Sequence, residues 1–137
     1  MGNQVHAGGC QCGAVRITAT DEPKWVATCH CTDCRKATGA AMATYAGFSS
    51  EAADISGGAY KEFESSPGTF RGFCETCGAR LTYRSTRWAD EVHFHVGAFE
   101  DPDAFAPQAN VYTVEKLSWV QLEPNLPELR KTSAEED

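Results

Sequence analysis

The stretch FCETCGARL (residues 73–81) sets Cys74 and Cys77 two residues apart and follows them with Gly78. That spacing lets two thiolates reach one ion, and the glycine lets the turn relax while backbone N–H groups point at sulfur. A closed tetrahedral zinc takes four ligands, so two more must come from elsewhere in the chain. GGCQCG (8–13) offers them. Cys10 and Cys12, at i and i+2 of an extended strand, would project to one side, and Gly8, Gly9 and Gly13 permit close backbone approach. The expectation is a structural Cys₄ site of Cys10, Cys12, Cys74 and Cys77 that pins an N-terminal hairpin to the middle of the chain. Two competing readings are weaker. A thioredoxin-like redox pair would place CETC at a strand–helix junction of a βαβ unit, and no such unit is visible. Inert buried thiols do not account for paired spacings flanked by glycine.

CHCTDCRKATG (29–39) holds the remaining cysteines, Cys29, Cys31 and Cys34. Three thiolates with no evident fourth protein ligand describe a catalytic type of zinc, whose open position takes water or substrate. Extended backbone from Thr28 to Cys31 aligns the first two, and a turn at Thr32-Asp33 brings Cys34 round. His30 then points to the opposite face, toward packing or toward a contact with the ligands. A Cys₃His site closed by His93 or His95 is the bland alternative, although surface roles or contacts to the ligands suit those two better.

Composition sets the frame for both sites. Seven cysteines is an odd count that no complete disulfide framework can use. At 137 residues the chain forms one domain, long enough to bury about two-thirds of its unfolded surface. No apolar run approaches the ~18 residues of a membrane span, so no membrane partner is expected. MGNQVHAGG lacks a charged and an apolar signal region, so the expected compartment is the cytoplasm, where thiols stay reduced. The formal charge is −7, and seven thiolates with two divalent ions would make it more negative still. Nucleic acid is thereby excluded as a partner, because its binding depends on basic side chains at the phosphates. A small molecule or a protein remains, and a homodimer is compatible with the sequence.

Short period-2 patterns dominate. Val15, Ile17 and Ala19 alternate in AVRITAT, and Val92, Phe94 and Val96 alternate with His93 and His95 in EVHFHVG. ARLTYRS and NVYTVEKLSWV also read as strands, whereas SSEAADI (49–55) looks briefly helical behind a Ser cap. Gly and Pro recur between these patterns, giving an all-β chain of many short strands. The domain spans 5–130, and the acidic tail 131–137 reads as disordered.

GGCQCGAVR, CHCTDCRKATG and FRGFCETCGARL together resemble the glutathione-dependent formaldehyde-activating enzyme family, which also includes centromere-protein-V-like members. The resemblance runs from about Val5 to Leu129 and includes VGAFEDP (96–102), KLSW (116–119) and LPEL (126–129). It implies an Mss4-like fold of small antiparallel sheets stapled by zinc, with two Zn²⁺ per chain. Structural zinc maps to Cys10, Cys12, Cys74 and Cys77. The zinc associated with glutathione and catalysis maps to Cys29, Cys31 and Cys34. The family's activity is a carbon–sulfur lyase reaction, condensing formaldehyde with glutathione to S-(hydroxymethyl)glutathione. Glutathione carries two carboxylates, so Arg35 and Lys36, directly after Cys34, are the expected substrate-binding cations, with Arg71 more distant. Asn110-Val111 stands where many members carry His-Ile. The alternative function is a non-catalytic, zinc-stapled Mss4-like binding module.

Overall fold

The alternating apolar residues of AVRITAT form a half-buried strand, β2 (Arg16–Thr20), in the computed structural model, which describes residues 4–132. Val15, Ile17 and Ala19 are all buried on its inner side. β1 (Val5–Gly9) pairs antiparallel with β2, from Val5↔Thr20 to Gly9↔Arg16, and β5 (Ala53–Ser56) pairs with the other edge of β2. Gly8 in β1 bridges Phe99, and a Cβ at Gly8 would lie 2.7 Å from the Phe99 Cα. A side chain there would push backbone from backbone, so glycine is required.

The chain divides into two compact units. The first comprises residues up to Trp25 together with Ala46–Phe105. It holds the three-stranded sheet and an antiparallel meander of β6 (Tyr60–Ser66), β7 (Thr69–Cys74), β8 (Arg80–Ser85) and β9 (Glu91–His95). Phe48, Phe94, Phe99 and Phe105 are nearly inaccessible, and the Phe99 and Phe105 rings stack at 4.6 Å between centroids. Each buried ring contributes about 2–3 kcal/mol, which makes this cluster the unit's main apolar core. A smaller cluster of Cys10, Val15, Cys74 and Leu81 lies among Ile55, Ala59, Tyr60, Ala79 and Ala98. Half of its buried members are cysteines.

The second unit comprises Val26–Tyr45 and the residues from Ala106 onward. It contains most of β3 (Trp25–Cys29), the helix α1 (Thr32–Thr38), the start of β4 (Ala43–Ser49) and β10 (Ala109–Val111). β10 runs parallel to β3, with Val111 opposite Cys29, so the sheet that holds them is mixed, whereas the three-stranded sheet is wholly antiparallel. No helix among the described residues is long and apolar enough to cross a membrane.

Three local expectations change. The turn expected at Thr32-Asp33 is the first turn of α1, which is capped by the Cys31 side chain and ended by Gly39 in the left-handed conformation at φ 68°. SSEAADI gives a single 3₁₀ turn at Ser50–Ala52 before it extends into β5. NVYTVEKLSWV stops being a strand after Val111, because Tyr112 sits at φ 56°, outside the extended region. Further on, Lys131 O accepts from Tyr112 N at 2.9 Å, and the tail residues 133–137 lie outside the described residues.

The alternation in EVHFHVG suggested a polar outer face, yet His93 is buried. Trp25 and Trp88 pack on its ring, and Tyr83 stacks at 5.5 Å. Its Nε2 lies 2.8 Å from Glu91 Oε1, and Lys24 Nζ lies 3.2 Å from the other oxygen of that carboxylate. Burial pushes the His93 pKa below the ordinary value, against the opposing pull of Glu91. The folded state therefore holds a neutral ring that the unfolded chain would protonate near pH ~6.5. The stability contributed here is complete above that pH and is lost as pH falls toward the lower folded-state pKa. Urea midpoints taken from about pH 7.5 to about pH 5.5 should fall more steeply for wild type than for His93→Gln. Parallel slopes would contradict this assignment.

Candidate metal centres

Cys10 and Cys12 lie in the turn that joins β1 to β2, not on an extended strand as their i, i+2 spacing suggested. The turn closes through Cys10 N to Val15 O at 3.0 Å and Gly13 N to Cys10 O at 3.3 Å, with Gly13 at φ 85°. In this tight turn the two sulfurs still end 3.6 Å apart. Cys74 is the last residue of β7, and Cys77 follows in a knuckle closed by Gly78 N to Cys74 O at 2.7 Å, Gly78 having φ 79°. Cys12 Sγ lies 3.8 Å from Cys74 Sγ, and all four sulfurs fall within 4.8 Å of one another.

Those separations can be compared with a metal's demands. A tetrahedral zinc with Zn–S bonds of about 2.3 Å sets its sulfurs about 3.8 Å apart, so the four thiols already stand at ligand spacing. Burial does not assemble them, because Cys12 and Cys77 are exposed. The electrostatics agree. Burial opposes ionisation of Cys10, but the Val15 amide and the neighbouring sulfurs outweigh it and pull the thiol down to about 6. The Ala14 amide favours the Cys12 thiolate, yet desolvation and the sulfurs around it push that thiol up to about 11. One ionised sulfur thus suppresses its neighbour, a conflict that a divalent cation removes. The donor set suits zinc, since clustered thiolates select soft metals.

The second cluster belongs to the second unit. Cys29 ends β3, Cys31 remains extended at φ −70° and ψ 153°, and α1 carries Cys34 back toward both. These three sulfurs also lie within 4.8 Å of one another, with Cys29 and Cys34 buried. Bonds to the Cys31 and Cys34 sulfurs, reinforced by burial, push the Cys29 thiol far up. Cys31 is drawn down by Cys29, but Cys34 and burial raise it to about 11 overall. Three thiols in contact, two of them buried, cannot ionise together unless a cation neutralises them.

The surroundings hold this loop in place. Cys34 N donates to Cys31 Sγ at 3.2 Å, and Thr32 N donates to Glu115 Oε1 at 2.7 Å. Tyr45 OH donates to Cys34 Sγ at 3.3 Å within the buried interior. His30 is fully buried and meets Asn110 Oδ1 through Nε2 at 2.9 Å. The neighbouring residue of β10 accepts from the same histidine, His30 N donating to Val111 O at 3.1 Å. Among the described residues neither metal group includes a histidine, so His30, His93 and His95 stand outside both. Arg35 follows Cys34 on α1, where one guanidinium nitrogen donates to Thr32 Oγ1 at 2.9 Å and its buried Nε has no partner. Lys36 beside it is exposed. Arg71, by contrast, is buried with its guanidinium over the Tyr83 ring, a packing position. Tyr45 and Glu115 escaped sequence reasoning because they carry no motif and reach the cluster only through the fold, whereas Asn110 stood out only as a departure from the family's His-Ile pair.

The sequence profile of the glutathione-dependent formaldehyde-activating enzymes matches residues 5–115, and the chain belongs to that family. No curated protein matches it. Its fold is similar to that of a Rhodobacter sphaeroides protein whose crystal structure came from a structural genomics effort, with a TM-score of 0.55 and 20 % identity. The match covers 89 % of this chain and 98 % of that one, and at this identity the likeness concerns fold alone.

Serine in place of an exposed, unliganded cysteine would cost almost nothing. If the four sulfurs hold a metal linked to folding, Cys77→Ser should nevertheless lower the melting temperature by roughly 10 °C or more. Cys34→Ser should leave the domain folded, and scanning calorimetry of the two variants reads the contrast. Equal melting temperatures would contradict a division into a staple and an open site.

Proposed function

We propose that the chain is a zinc-dependent carbon–sulfur lyase of its family, acting on the adduct of glutathione, or another small thiol, with formaldehyde. The observation that carries this reading is the Cys29, Cys31 and Cys34 cluster, three converging sulfurs beside a cationic helix turn. A Cys₄ set closes a coordination sphere, whereas a Cys₃ set leaves one position for an exogenous ligand. A zinc held there would supply Lewis acidity and would favour the thiolate form of a bound thiol. The structural zinc would be held by Cys10, Cys12, Cys74 and Cys77. Seven reduced thiols suit the cytoplasm as the compartment.

The chain's own groups divide the remaining work. Glu115 and the Cys31 cap hold the turn in which Cys29, Cys31 and Cys34 converge. Arg35 has an unpartnered Nε, and with Lys36 it supplies donors for the carboxylates of a glutathione-like thiol. A tripeptide held by its carboxylates would present its sulfur in a defined place, which gives the reaction its orientation. In the condensation the thiol sulfur bonds to the carbonyl carbon, the C=O double bond becomes single, and the thiol proton ends on the new hydroxyl. Lysis reverses each change.

Zinc stoichiometry of wild type and Cys34→Ser, combined with glutathione–formaldehyde exchange followed by NMR, tests the proposal. Two zincs falling toward one, with exchange slowed to the uncatalysed rate, is the expected result. One zinc throughout and unaltered exchange would overturn it and leave the non-catalytic binding module.

A further inference from the structure

We infer that Tyr45 is a positioning residue of the three-sulfur cluster, acting through a hydrogen bond from its phenol to Cys34 Sγ. The inference rests on the reading of Cys29, Cys31 and Cys34 as a metal centre. Tyr45 lies on β4 at 5 % exposure, and its OH donates to Cys34 Sγ at 3.3 Å. An O–H···S contact inside a buried site is unscreened by water, so it acts on the sulfur more strongly than a surface bond would. Cys34 itself is 4 % exposed and sits in the first half of a short helix whose backbone amide is already given to Cys31 Sγ. Two of the three sulfurs thus accept a designated donor, one from backbone and one from a side chain on a different element.

The physical consequence follows from charge. Three thiolates outweigh one divalent cation by a full negative charge, and buried excess charge has to be dispersed onto donors. The phenol withdraws electron density from Cys34 and makes it a weaker electron donor toward a metal than a thiolate without that bond. It also locks the Cys34 rotamer against β4, so that helix fraying does not carry the third sulfur away. A phenylalanine at this position would keep the packing and lose both effects, which separates this role from simple core filling.

The test uses the full chain loaded with ¹¹³Cd²⁺ and read by cadmium NMR, in which the four-sulfur and three-sulfur sites give separate resonances. Tyr45→Phe should shift the three-sulfur resonance and leave the four-sulfur resonance in place as an internal control. A wild-type chain with two resonances, and a three-sulfur resonance unchanged in Tyr45→Phe, overturns the role of Tyr45 while the metal centre stands. A wild-type chain with a single resonance overturns the metal-centre reading and this inference with it. Should Tyr45→Phe not fold, the unsubstituted chain still decides. A hydroxyl proton showing scalar coupling to the three-sulfur cadmium through the Cys34 sulfur supports the bond, and its absence rejects it.

Discussion

Four sulfurs from two distant chain segments converge to ligand spacing, and that convergence ties the first hairpin to the knuckle after β7 within the first unit. One pair comes from the turn between β1 and β2, the other from the knuckle after β7, so 62 residues separate Cys12 from Cys74. The strands between them are short, and the small core beneath the site holds only Val15 and Leu81 as fully buried aliphatic partners. So small a cluster gives little apolar stabilisation, whereas a metal bond to four thiolates supplies folding energy directly. Close-approach and left-handed glycines serve the same end. Gly8 lets β1 lie against Phe99, and Gly13 and Gly78 close the two turns that aim the sulfurs.

The three-sulfur cluster uses the same chemistry with the opposite outcome. Its scaffold is a strand end, an extended linker and a seven-residue helix, pinned by Glu115 at Thr32 N, by Asn110 at His30 and by Tyr45 at Cys34. These supports hold the three sulfurs without adding a fourth protein donor, the arrangement that an exchangeable coordination position would require of a metal held there. Arg35 and Lys36 follow the last cysteine on the same helix, so cationic side chains arise beside the cluster from chain continuity alone.

Residue spacing carried the division of seven cysteines into four and three, because CxC and CxxC pairs constrain geometry whatever the fold around them. Local backbone form was less legible. Cys10 and Cys12 fit an extended strand as well as a turn on spacing, and only the ladder from Val5↔Thr20 to Gly9↔Arg16 shows that the strand ends before them. α1 was hidden because seven residues hold too few periodic positions, and because its N-cap is a cysteine. His93 was misplaced for a different reason. Alternation says which residues share a face, but not that Trp25 and Trp88 would cover the second face as well. Tyr45 and Glu115 are ordinary residues in sequence and acquire roles only where the fold sets them against Cys34 and Thr32.

X-ray absorption at the zinc edge of the fully loaded chain examines the ligand assignment without any substitution. A four-sulfur and a three-sulfur site together predict an average of about 3.5 sulfurs per zinc at about 2.3 Å, with a light oxygen- or nitrogen-type ligand making up the rest. Multiple-scattering features from imidazole should be lacking, since neither sulfur group includes a histidine among the described residues. An average near two sulfurs, or a clear imidazole signature, would contradict the assignment of the seven cysteines on which both sites depend.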